Sequence, residues 1–152
     1  MRNLYKMFTG TLSVFCLLFF AASCSKDTEA KDYAELEISR YRGGFPLKSN
    51  DGNTELYIIS SYAELEKLVH FPEDHAGFDF KRHSLLYTPK HGQAGGYDNS
   101  YSFRHHKDGC YTLVIKMNKK GGVTTQEWIP LAFKVPALPK GAKVKIEAQV
   151  KG

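Results

Sequence analysis

The chain has 152 residues, 42% of them hydrophobic and 24% charged, which favours one globular domain and excludes a disordered or collagen-like chain. No apolar run approaches the roughly 20 residues that a membrane-spanning helix needs. The formal net charge of +5 is spread along the chain. A nucleic-acid binder concentrates its charge in a stripe or patch, so no nucleic-acid partner is expected.

The N-terminus reads as an address. Residues 1–23 hold Arg2, Lys6 and no acidic residue, and the uncharged run Leu12–Ala22 is too short to span a bilayer. A positive start, a short apolar run and small residues before a cut are the anatomy of a secretory signal peptide. Here Ala21-Ala22-Ser23 stand directly before Cys24, an arrangement that resembles the bacterial lipobox. That resemblance implies that Cys24 becomes the diacylated first residue and anchors the protein in a lipid bilayer. Removal of residues 1–23 would lower the net charge to +3, because two basic residues leave and no acidic one does. Of the three cysteines, Cys16 would leave and Cys24 would be acylated. Cys110 would remain as the one thiol, so no intramolecular disulfide is expected and stability must come from the core.

Residues 25–32 are polar and read as a flexible tether of about 15 Å. Lys26, Asp27 and Glu29, so near Cys24, resemble the charged tags of lipoproteins in the Bacteroides group, which implies the cell envelope and its outer membrane. From residue 33 to 152 a single domain is expected, and it alternates with period two more often than 3.6. Tyr33–Tyr41 places Ala34, Leu36 and Ile38 on one face. Thr54–Ile59 is a second strand. Ser61 and Glu64 form a capping box that opens a helix, with Tyr62, Leu65, Leu68 and Val69 on one face and Pro72 as its stop. Ser84–Thr88 is a short apolar strand. Tyr97–His105 and Cys110–Met117 form a hairpin across Asp108-Gly109. Glu127–Val135 and Lys143–Lys151 close the chain. Six or seven strands and one short helix predict an α+β domain with a mainly antiparallel sheet.

Ser61, Glu64 and Leu65, then Phe78-Asp79-Phe80 ahead of Leu85-Leu86-Tyr87, then Gly95-Gly96-Tyr97 opening a strand, form the first half of a familiar order. Leu113-Val114-Ile115, Thr125-Gln126, Pro130 and Val135-Pro136 complete it. Over residues 54–148 this order resembles the PrcB C-terminal-type domain, which is found in exported bacterial proteins. The resemblance implies a non-enzymatic module that binds or stabilises another envelope protein, a protease among the candidates, and it carries no catalytic residue.

The residues themselves offer little chemistry. Histidines 70, 75, 83, 91, 105 and 106 are dispersed, and adjacent His105 and His106 fall on opposite strand faces, so no metal or other cofactor is expected. Cys110 alternates with Thr112, Val114 and Lys116 on the face away from the core and reads as an inert thiol. Lys90–Gly96 lacks the Lys-Ser/Thr of a phosphate loop and enters a strand instead of a helix. Its glycines permit close approach, so His91, Gln93, Gly95, Gly96 and Tyr97 form the expected partner surface, with Trp128 as a candidate hot spot. A second reading is a small-molecule or glycan pocket walled by Tyr97, Tyr101 and Trp128.

Overall fold

The computed structural model describes residues 31–49, 52–93, 97–120 and 129–151. The expected signal peptide, lipidated Cys24, most of the tether, Gly95, Gly96 and Trp128 lie outside these residues.

Among the described residues eight strands form two sheets of four, where a single sheet of six or seven was expected. In chain order they are β1 (Tyr33–Leu36), β2 (Ser39–Arg40), β3 (Tyr57–Ile59), β4 (His83–Gln93), β5 (Tyr97–His106), β6 (Tyr111–Lys119), β7 (Ile129–Pro136) and β8 (Val144–Lys151). One sheet runs β1-β5-β6-β8 and the other β2-β7-β4-β3. Neighbours are antiparallel except β6 and β8, which run parallel from Tyr111 beside Val144 to Asn118 beside Lys151. A parallel pair needs a long crossover, and β7 supplies it by passing through the other sheet.

The segment expected as one strand, Tyr33–Tyr41, is divided. Tyr33–Leu36 pairs with β5, and two residues later Ser39-Arg40 pairs with β7. Switching sheets at such a corner lets one run of alternating residues serve both layers. Period two cannot reveal the switch, because both halves keep Leu36 and Ile38 against the same core.

The sheets face each other across that core. Phe103, Leu113, Ile115, Leu131 and Phe133 are fully buried in it, with Leu86 and Val135 beside them. Tyr101 meets Phe133 edge-on at 4.8 Å, a favoured aromatic geometry that ties β5 to β7 across the layers. A second core lies on the far side of the β2-β7-β4-β3 sheet. There Ile59, Leu85, Tyr87 and Ala132 meet Leu65 and Val69 of the helical segment and Phe45 of the loop after β2.

The helix, α1, spans Tyr62–Leu68, and its capping box forms: Ser61 Oγ accepts from the Glu64 N–H at 3.2 Å. The Glu64 carboxylate reaches back to the Ser60 N–H at 2.7 Å. Leu65 and Val69 are buried as expected, but Tyr62 is exposed. Pro72 does more than stop the helix. It opens a 3-10 turn, Pro72–His75, that carries His75 into the second core.

Candidate functional site

His91 and Gln93, expected in a loop, belong to the end of β4. They extend the strand because β4 continues past an irregularity. Thr88 pairs with Leu131 and Gly92 with Pro130, so Pro89, Lys90 and His91 are extra residues on the β4 side. The fully buried Thr88 hydroxyl holds this bulge, donating to the His91 carbonyl at 2.7 Å with the Leu131 carbonyl 3.3 Å away. Bulges re-aim strands and side chains near functional sites. Lys90 Nζ reaches the Asn53 carbonyl at 2.8 Å, and His91 is half-buried.

Past the bulge, Gln93 lies opposite Ile129, and Tyr97 lies opposite Lys119. The two connections that carry Gly95, Gly96 and Trp128 therefore start and finish at paired neighbours. Asp98 and Lys120 form an ion pair of 2.6 Å at the same end, both side chains exposed. Exposed pairs contribute little to stability, so its value there is local charge and not strength. One step in from Tyr97 on the same face, the Asn99 amide is buried. It lies near enough to the Tyr101 hydroxyl to favour the phenolate, yet it completes no hydrogen bond among the described residues.

Of the expected pocket residues Tyr97, Tyr101 and Trp128, the two tyrosines fall among the described residues. Both pack against the central core, and burial raises the Tyr101 phenol above its ordinary value of 10.0, with the Arg40 charge opposing. Aromatic residues line a different groove, on the outer face of β7. One cleft of about 600 Å³ runs from Pro130 and Ala132 to Tyr41, Phe45 and Tyr87. A second of about 390 Å³ continues along Lys134, Ser39, Phe78 and His83. They share Arg40 and Tyr41.

The wall of this groove is held by His75, one of the dispersed histidines. The Gly44 carbonyl can only accept, so Nε2 donates to it at 3.1 Å. In the neutral ring Nδ1 then accepts from the Tyr41 hydroxyl at 3.0 Å. Phe45 stacks on the imidazole at 4.7 Å, and the Gly43 backbone sits so close that a Cβ there would stand 2.7 Å from Tyr41 Cε1 and 2.9 Å from His75 Cε1. Burial raises the Tyr41 and Tyr87 phenols above 10.0. The available signal was Tyr41 followed by Gly43-Gly44-Phe45, an aromatic pair around a glycine break. Its partner His75, far along the chain, carries no pattern that links the two.

The remaining groups stay apart. His105 stacks on Tyr111 at 4.5 Å, while His106 bonds Thr112 Oγ1 at 2.8 Å on the opposite face, so this pair does not chelate together. Among the described residues no three His, Cys, Asp or Glu side chains gather as a metal site. Cys110 is a half-buried free thiol just before β6, its N–H donating to Asp108 Oδ1 at 2.9 Å. That bond holds the Asp108 carboxyl below its ordinary value. No helix among the described residues is long and apolar enough to cross a membrane. Compared with protein-family models, curated proteins and solved structures, the chain finds no match.

Proposed function

We propose that this protein is a lipid-anchored module of the bacterial cell envelope, placed at the outer membrane, that binds and stabilises another envelope protein and catalyses no reaction itself. The anchor rests on Ala21-Ala22-Ser23-Cys24 after the uncharged run. A diacylglyceryl group with an added acyl chain exceeds the two signals that stable attachment needs. The binding role rests on the order of motifs over residues 54–148 that resembles the PrcB C-terminal-type domain, whose partner class is a protease complex. The observation that carries it is the pairing of Gln93 with Ile129 and Tyr97 with Lys119, beside the Thr88–Gly92 bulge. It gathers the flanks of both glycine- and tryptophan-bearing connections into one contact end.

A photo-crosslinking residue at His91 or Tyr97 in intact cells tests this reading. The expected result is one discrete adduct with an envelope protein, lost when Cys24→Ala prevents anchoring. An adduct pattern identical to that from a probe at Lys107, in the β5–β6 turn, would overturn it. The second reading, a small-molecule or glycan site, draws support from the groove of Tyr41, Phe45 and Tyr87. Saturable binding of a soluble glycan, lost in Tyr87→Ala, would establish it.

A further inference from the structure

We propose that the free edge of β8 is a docking strand that pairs antiparallel with β8 of a second copy of this chain. The four edge strands are unequal. β1, β2 and β3 have four, two and three residues, the short edges that proteins use to avoid unwanted pairing. β8 has eight, without proline and without a register shift against β6. Among the described residues nothing pairs with its outer side.

The backbone decides which groups are available. The Tyr111 N–H donates to the Lys143 carbonyl at 2.9 Å, so in this parallel ladder the odd-numbered residues of β8 turn their N–H and C=O groups toward β6. Those of Val144, Ile146, Ala148 and Val150 point to the open edge. The same residues form the apolar face of the strand, and its second half is uncovered: Ala148 is exposed and Val150 is 61% exposed. No inward-facing charge blunts this edge, the usual protection against pairing.

Charge selects the occupant and the register. Setting Ile146 opposite Ile146 of the second copy puts Val144 opposite Ala148 as hydrogen-bonded pairs. The intervening, closer pairs then join Lys145 to Glu147 and Glu147 to Lys145, both exposed residues on the outer face. Sliding the second strand by two residues sets Glu147 against Glu147, and sliding it by four sets Lys145 against Lys151. The arrangement centred on Ile146 is self-complementary, as a two-fold interface requires.

Sedimentation of the full chain in detergent, across a range of concentrations, tests the proposal. Wild type should show a monomer–dimer equilibrium. Ala148→Pro removes an outward N–H that β6 does not use, so it should abolish the dimer with an unchanged melting temperature. Lys145→Glu should weaken the dimer about tenfold by opposing like charges twice, and adding Glu147→Lys should restore it. The charge variants carry the test even where the proline variant fails to fold. A wild type that is monomeric throughout, a Lys145→Glu dimer of undiminished affinity, or a double variant no better than the single would overturn the proposal. So would an edge occupied only by a strand of another protein.

Discussion

The two cores of this protein are built on different principles. The central one is made of strand residues meeting across two sheets: Phe103, Leu113, Ile115, Leu131 and Phe133, all fully buried. The outer one is closed by irregular chain: α1, the 3-10 turn at Pro72–His75 and the loop through Phe45. Strand alternation seals the first. The second depends on one imidazole that bonds Gly44 and Tyr41 at once. Where the loop leaves β7 uncovered, a groove opens. A regular core thus gives stability, and an irregular one gives shape.

Removing a central ring should have the largest effect. Phe133→Ala would cost about 3–5 kcal/mol in denaturant unfolding, because the rigid sheets cannot close over the space. It would disturb both layers through Tyr101 and Leu86. A smaller loss would indicate that the sheets are less tightly apposed than described.

His75→Leu keeps the volume but strands the Tyr41 hydroxyl and the Gly44 carbonyl. The expected cost is about 1–3 kcal/mol, and proteolysis should become faster in the 41–47 loop while the β5–β6 hairpin keeps its hydrogen-exchange protection. Equal loss of protection in both places would erase the distinction between the cores.

Alkali provides a gentler probe. Tyr41, Tyr87 and Tyr101 have phenols raised above 10.0 by burial, so the folded state holds protons that the unfolded chain releases. The stability they contribute is complete below pH 10 and declines as pH rises through their folded values. Tyr41→Phe should make that decline shallower, measured as melting temperature against pH. An unchanged slope would remove Tyr41 from the set.

These contrasts also explain what could be read from the residues. Leu113 and Ile115, Leu131 and Phe133, and Leu65 with Val69 were legible, because each obeys one period within one element. The capping box at Ser61 and Glu64 was legible because it is local. Two sheets instead of one were not, since Leu86 and Phe103 look alike whether they share a sheet or face each other. The bulge that keeps His91 in β4 rests on Thr88 bonding carbonyls in two strands, and no local pattern announces it. His75 was invisible for the same reason: its partners lie in the loop after β2, 31 and 34 residues earlier in the chain.

The proposed contact surface for an envelope partner is the end of the molecule around His91, Gln93 and Tyr97. Gln93→Arg tests it most directly, with thermal melting and partner capture measured on the same membrane preparation. The position ends a strand, so the fold should lose no more than about 0.5 kcal/mol. At a packed interface the same arginine would bury an unpaired charge and reduce capture a hundredfold or more, on the order of 3 kcal/mol. Unchanged melting with capture lost is the predicted result. Unchanged melting with capture intact would contradict the account and move the contact surface away from this end.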